Sequence, residues 1–446
     1  MNFASVLKNT IHNLTNNTST VDTVSNKETT VEETTIEETT IKETDNIQKI
    51  INNPDVKPFP SLWNLGRTER LLDFLSGQPV YNTFSGLFKS NKVSNYKYTQ
   101  IYINSEIPAE LDKRLTIKFP EHNEVDIVQN PVILLEGSAI KSLAKIYSKY
   151  PNGIRELTSK IIKSCELEIG GQRISKLYNI GFDFFSKKNN YQMYQYVNQK
   201  YAMTTGKLYI PIPFDLLINE GFLPIMLIKY HSVKIKLDLE SVTNLTKGNT
   251  ELMSKINYKV NCQLKLDAIY LPSDSYNINS AREFFFNNYQ YTGPELVNKK
   301  EIVNNFTLNF NNGINGIFIC FTHGKYNEIV RNDYIFDNLK LVIEGNVLLN
   351  MSYEMLKSEG LYHAGMKNDS ETDGYFWIPF SRINEAINNN IQTRGTINMT
   401  ILNNVKVEIQ FNENINKYEE LYFNAIGTNF DIIRIMSGMA GIAFSK

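Results

Sequence analysis

The feature that most constrains this chain is a run of strict alternation, Val233, Ile235, Leu237 and Leu239 against Lys234, Lys236 and Asp238. Successive side chains of a strand point to opposite faces, so the run specifies an antiparallel strand with one buried and one wet face. It predicts Val233, Ile235 and Leu237 inside and Lys234 and Lys236 outside. A second such run places Tyr258, Val260, Cys262, Leu264 and Leu266 against Lys259, Asn261, Gln263 and Lys265. Proline punctuates the approach to the first: Pro211 and Pro213 cannot donate to a central ladder and end the strand that begins at Leu208. A short turn is expected at Asn219-Glu220-Gly221. The whole block Lys207–Glu240 holds no nucleophile, metal cluster or phosphate loop, and reads as architecture.

Strand signals recur on both sides of this block. They fall at Tyr98–Ile103, Leu115–Phe119, Val125–Leu135 (interrupted at Pro131) and Ile161–Ile169, with a tight turn at Gly170-Gly171. They resume at Ile302–Phe310, Ile317–Phe321, Leu339–Leu349, Tyr375–Ile378, Ile397–Phe411 and Leu421–Phe423. The 25 Tyr and 25 Phe favour strands. Helical spacing is confined to Leu62–Leu75 and to Ser138–Lys149, an insertion between strands. Many short strands with regular turns point to sandwiches or barrels. The halves also echo each other. Leu167-Glu168-Ile169-Gly170-Gly171 returns as Leu341-Val342-Ile343-Glu344-Gly345, and Ile212-Pro213-Phe214 as Ile378-Pro379-Phe380, each followed by an alternating strand. Matching order and offset imply two tandem copies of one all-β domain.

The first 50 residues are different. NKETT, VEETT, IEETT and IKETD form a five-residue repeat, with eight acidic residues against three lysines between Val21 and Ile50. One isolated Val or Ile per unit gives no face to bury, so a solvated arm is expected, able to order on a neighbouring subunit. The expected division is an arm over 1–58, a first domain over 59–245, a linker over 246–255 and a second domain over 256–446.

The formal net charge of -1 argues against a nucleic-acid-binding field. Met1–Leu14 lacks a secretory apolar core, and no stretch approaches the roughly 20 apolar residues that span a bilayer. The expectation is a soluble protein made in cytosol. Cys165, Cys262 and Cys320 stand far apart, without a CxxC pair, and read as buried apolar residues rather than a disulfide framework or zinc site. His12, His122, His231, His323 and His363 show no metal-ligand spacing, and His231 reads as structural. Glu166 and Glu168 share a face, where edge-strand charges that block aggregation outweigh acid–base catalysis. Gly170-Gly171 is too short to cradle a phosphate. Met436, Gly438, Met439 and Gly441 specify a close-packed turn. The sequon Asn305-Phe306-Thr307 carries no information in a chain without a signal peptide. No catalytic, cofactor-binding or metal residue is assigned.

Several segments, in order, resemble the major capsid proteins of nucleocytoplasmic large DNA viruses. They are Glu166–Ile174 (ELEIGGQRI), Tyr209–Phe214 with Leu223-Pro224 and Tyr230–Ile235, Leu266–Leu271, Phe380-Ser381-Arg382-Ile383-Asn384 and the terminal Ile433–Phe444 (IRIMSGMAGIAF). Ser76-Gly77-Gln78-Pro79 with Phe84 and Phe88-Lys89 is fainter. The resemblance covers roughly residues 76 to 446. It implies a tandem double jelly roll, two eight-stranded antiparallel sandwiches, in a homotrimer whose six lobes imitate a hexagon. It further implies an icosahedral shell assembled in the host cytoplasm. The expected partners are other copies of the chain, neighbouring capsomers and minor capsid proteins, with an inner membrane reached only through other proteins. No enzyme activity, cofactor or direct nucleic-acid contact is expected.

Two rival readings remain. A minor capsid or scaffold paralogue is motivated by the acidic tail and the inserted helix, and copy number per virion separates it. A glycan-binding or hydrolytic double jelly roll requires a pocket of convergent carboxylates or aromatics.

Overall fold

The computed structural model describes residues 97–443 apart from 151, 190–192, 219–220, 272–281, 332, 367–372 and 381–395. The acidic repeat, the Leu62–Leu75 helix, the Ser76–Pro79 motif with Phe84 and Phe88-Lys89, Ser381–Asn384, Asn219-Glu220, His12 and Phe444 lie outside the described residues.

Eight strands build the first sandwich: β1 (Lys97–Asn104), β2 (Arg114–Lys118), β3 (Ile127–Glu136), β4 (Ile162–Ile169), β5 (Gln172–Tyr178), β6 (Lys207–Pro211), β7 (Val233–Leu239) and β8 (Asn261–Tyr270). They pair antiparallel in the orders β1-β8-β3-β6 and β2-β7-β4-β5. Eight more build the second: β9 (Arg282–Leu296), β10 (Val303–Thr307), β11 (Gly313–His323), β12 (Phe336–Ile343), β13 (Asn346–Ser352), β14 (Tyr375–Pro379), β15 (Val405–Phe411) and β16 (Leu421–Met436). Their orders are β9-β16-β11-β14 and β10-β15-β12-β13. Adding eight to each strand of the first sandwich gives its counterpart in the second, the duplication expected from the echoes. A last strand, β17 (Met439–Ile442), folds back on β16.

The echoes sit where the duplication requires. Gly170-Gly171 joins β4 to β5 and Glu344-Gly345 joins β12 to β13, all four residues at positive φ between 49° and 85°. That backbone suits a two-residue hairpin turn, and glycine enters it without a Cβ penalty. By strand position, however, Pro211 rather than Pro213 matches Pro379, since each ends the fourth strand of its sheet. The alternating strands are β7 and β15. Val233, Ile235 and Leu237 are buried, with Lys234 and Lys236 on the other face.

One expectation is corrected. Asn261–Tyr270 does not open the second domain; it pairs with β1 and β3 and completes the first sandwich. The expected linker belongs to the connection into that strand, which carries two short helices: Val242–Leu245, capped by Ser241 just before the linker, and Thr250–Ser254, capped by Asn249 within it. Alternation identifies a half-buried strand but not its partner, so the polar stretch before it passed for a boundary. Pro131 also interrupts less than expected. Asn130 at φ 53° and a register shift between Gln129 and Val132 absorb it as a bulge inside β3.

Helices fill two connections of the first sandwich. α1 (Ser138–Tyr147) and α2 (Gly153–Lys160) join β3 to β4; α3 (Asn179–Lys188) and α4 (Gln195–Thr205) join β5 to β6. Only α1 was legible as a helix. β9 and the long continuation of β16 were likewise not read as strands, and Leu339–Leu349 is a hairpin rather than one strand.

Two hydrophobic cores result. One fills the second sandwich, with Phe306, Ile317, Ile319, Phe321, Phe336 and Phe423. The other fills the first and continues into the second sheet, taking in Phe318, Cys320, Tyr375, Trp377, Ile433 and Ile435. Along β11, alternate residues therefore enter different cores, and the two sandwiches share a buried seam.

Candidate functional site

The seam is the most organised feature outside the two sandwich interiors. α3 supplies its centre. Phe182, Phe184 and Phe185 are all buried, and Lys187 and Lys188 occupy the last turn, where cations complement the helix dipole. Phe184 lies 4.3 Å from Phe318, 5.6 Å from Trp377 and 5.9 Å from Tyr375, ring centre to ring centre. Phe185 lies 4.4 Å from Tyr289. Each such pair adds about 0.5–1.5 kcal/mol beyond the area it buries.

A polar knot closes the rim of this cluster. Asp183 on α3 accepts two bonds from the Arg155 guanidinium of α2, one at 2.7 Å, and a third at 2.9 Å from the Tyr375 hydroxyl of the second sandwich. Lys187 stands 3.9 Å away, and Arg331 donates to Tyr375 at 3.3 Å. Burial alone raises the Asp183 carboxyl, but Arg155, Lys187 and Tyr375 outweigh it and hold it below the usual carboxylate range. Burial pushes the Tyr375 phenol up. Both partners are thus fixed in the charge state that binds.

A second contact is made by the β16–β17 hairpin, on the turns that the sequence singled out. The Gly438 carbonyl (φ 80°) accepts the Lys229 and Tyr230 amides at 2.8 and 2.9 Å. His231 Nδ1 meets the Ala440 carbonyl at 2.8 Å, and Gln172 Oε1 accepts the Ile442 amide at 3.1 Å. A Cβ on Gly170 would lie 2.5 Å from the His231 ring. Three segments of the family resemblance, around Gly170, His231 and Gly438, therefore converge at one junction. A third contact surrounds Glu328 beside β11. It bonds Lys247 and faces Lys160 at 3.9 Å and His323 at 4.0 Å. Burial lowers the His323 pKa below its ordinary 6.5.

The remaining candidates are scattered. Cys165, Cys262 and Cys320 are buried free thiols; burial pushes Cys262 and Cys320 up to about 12 and Cys165 well above its ordinary value. His122 is exposed on a turn, and His363 is part-buried on a short helix. Glu166 and Glu168 do not lie on an edge: β4 runs between β7 and β5. Glu168 bonds Lys236, and Glu166 faces Lys176 at 4.0 Å, opposite charges across neighbouring strands. A cleft of about 60 Å³ beside Arg155 and Asp183 is far below the roughly 300 Å³ at which small-molecule pockets begin. Among the described residues no three His, Cys, Asp or Glu side chains gather as a metal site, and no helix is long and apolar enough to cross a membrane.

Two jelly rolls of identical strand order, joined through a common core, make the double jelly-roll fold. The comparisons agree. The family model for the major capsid protein N-terminus matches residues 87–275, a span that includes β8 and stops before β9. The major capsid protein of Pyramimonas orientalis virus is 24% identical over 413 residues, covering 84% of this chain and 96% of that one. That of Paramecium bursaria Chlorella virus 1 is 26% identical over 166 residues, covering 34% and 38%. The VP54 structure of PBCV-1 superposes with a TM-score of 0.64 at 16% identity, over 81% of this chain and all of that one. The Faustovirus major capsid protein gives 0.54 at 7% identity, over 86% and 99%. Over most of its length the chain is thus similar to major capsid proteins of large DNA viruses.

Proposed function

We propose that this chain is the repeating structural unit of an icosahedral virion shell, built as a homotrimer with six similar lobes. The observation that carries the reading is the shared core: two sandwiches of identical strand order are locked into one block by α3 and the β16–β17 hairpin. Three such blocks present six near-equivalent lobes, and a unit of that outline tiles a hexagonal layer through few contact types. The work done is assembly, with apolar and aromatic surface buried between copies; no catalytic role is assigned. Residues 1–58 serve as an arm toward neighbouring subunits, and the two lobes divide between Tyr270 and Arg282. The partners are other copies of the chain, neighbouring capsomers and minor capsid proteins, with any inner membrane reached through other proteins, and assembly takes place in the host cytoplasm.

Sedimentation and electron microscopy of the purified chain test this. A trimer with a hexagonal outline is expected. A stable monomer at high concentration, with no hexagonal particles, overturns it.

A further inference from the structure

We propose that the edge strand β13 of one copy packs against the edge strand β1 of a second copy, bringing Leu348 beside Tyr102. This rests on the homotrimer reading and adds which surfaces meet. Within the chain the equivalent contact already exists, between β5 and β9. β13 is the counterpart of β5 residue by residue. Each follows a two-residue turn, and each carries a bulge at the same place. Arg173 and Ser175 face Glu168 and Leu167 with Ile174 left over; Val347 and Leu349 face Val342 and Leu341 with Leu348 left over. Their surroundings are opposite. Ile174 is 1% exposed, and its carbonyl accepts Asn288 Nδ2 of β9 at 2.8 Å. Further along β5, Tyr178 lies 4.6 Å from Tyr291 of β9, ring centre to ring centre. Leu348 is 55% exposed, as is Val347.

The other half of the contact repeats as well. Pro211 of β6 stands opposite Val132, Val132 opposite Lys265, and Lys265 opposite Tyr102. Pro379 of β14 leads in the same way through Gly316 and Thr428 to Tyr289. Tyr289 is buried in the seam, its ring against Phe185 of α3 and its hydroxyl donating to the Pro213 carbonyl at 2.6 Å. Tyr102, at the equivalent place on β1, is 52% exposed, and Tyr98 on the same face is 50% exposed. One version of the contact is therefore made within the chain, and both halves of the other stand open. β13 and β1 each end their sheet among the described residues. β13 (NVLLNMS) carries no charge and β1 (KYTQIYIN) only Lys97, a composition that suits an interface core, where tyrosine is enriched and charge depleted. A second copy supplies each open half with the surface its counterpart already has. The contact is head-to-tail, β13 of one copy on β1 of the next, and such contacts close into a ring when the rotation allows.

The test is cysteine cross-linking of the full-length protein with a short bismaleimide, read on a denaturing gel beside sedimentation of the wild type. Tyr102→Cys/Leu348→Cys is expected to give covalent species of up to three chains, and either single variant only the one-chain band. The native Cys165, Cys262 and Cys320 are buried and stay silent. Leu348→Asp is expected to weaken association between copies about tenfold or more, with an unchanged circular dichroism spectrum. A wild-type trimer whose double variant cross-links no more than the single variants overturns the proposal and leaves the homotrimer standing. It assigns the β13 edge to another occupant, such as the 1–58 arm. Covalent dimers from one single variant alone, which would bring like surfaces together, overturn it too. A wild-type monomer removes the homotrimer reading and this proposal with it.

Discussion

The two sandwiches share a strand permutation but differ in what covers the corresponding sheets. In the first, the outer face of β1-β8-β3-β6 carries a buried polar pair, Lys265 to Asp267 at 2.9 Å, with Asn130 donating to Asp267. In the second, the outer face of β9-β16-β11-β14 is covered by α3 and by the first sandwich itself. The sequences show the cost. β11 (GINGIFICFTH) is buried at nine of its eleven positions, as a strand covered on both faces must be. β7 and β15, each with one wet face, keep strict alternation. The copies are equivalent in topology and not in environment, because one of them supplies the helical connections that form the seam.

The strongest way to break that asymmetry is to empty the seam. Trp377→Ala is expected to cost about 3–5 kcal/mol, and calorimetry should then show the two lobes melting in separate transitions. A single unchanged transition would show that the seam does not couple them. Asp183→Leu comes next. It leaves Arg155 buried against an apolar side chain, at a cost of about 3 kcal/mol.

Acid tests the same contact without mutation. The folded Asp183 carboxyl sits below its ordinary 3.8, so its contribution is complete above that pH and is lost as pH falls through the lower folded value. His323 works in a higher range. Its folded pKa lies below 6.5, so stability from this group is full above pH 6.5 and falls as acid charges the ring. Melting curves from pH 7 downward should therefore show two steps, and His323→Gln should remove the upper one.

The paired turns offer a finer test. Glu344, the counterpart of Gly170, holds a positive φ of 49° with a full side chain, so backbone conformation alone does not demand glycine there. What distinguishes Gly170 is the His231 ring 2.5 Å from its missing Cβ. Gly170→Ala should cost about 1–2 kcal/mol, and His231→Ala in the same protein should recover part of it, a coupling that denaturant melts can measure. Gly345→Ala, with open space at its Cβ, should lose only the backbone preference, about 1 kcal/mol. Smallest is Lys236→Ala, which removes a half-exposed cross-strand partner of Glu168. About 1 kcal/mol is expected, shrinking with added salt.

Much of the fold was legible because its signals are local. Period-two alternation marked β7, β8 and β15, and the Gly170-Gly171 pair marked the β4–β5 turn, whereas Glu344-Gly345 passed inside a single strand reading. α3 was hidden. Asn-Ile-Gly-Phe-Asp-Phe-Phe buries residues around most of its circumference, so no amphipathic stripe announces a helix. The contacts of the seam were hidden for another reason. His231 was read as structural, but its partner Ala440 is 209 residues away, and no local pattern links them.

The sequence by itself determined the all-β class, the duplication, the buried face of each alternating strand and the tight turn at Gly170-Gly171. These depend on the alternation of side chains and the sterics of single residues, which the chain carries wherever it folds. Only the tertiary structure decided that Asn261–Tyr270 closes the first sandwich, that α3 forms the bridge, and that Asp183 and His231 stand at the seam. Periodicity reports that a face is buried. What buries it is settled by long-range packing, where residues hundreds of positions apart compete for the same surface.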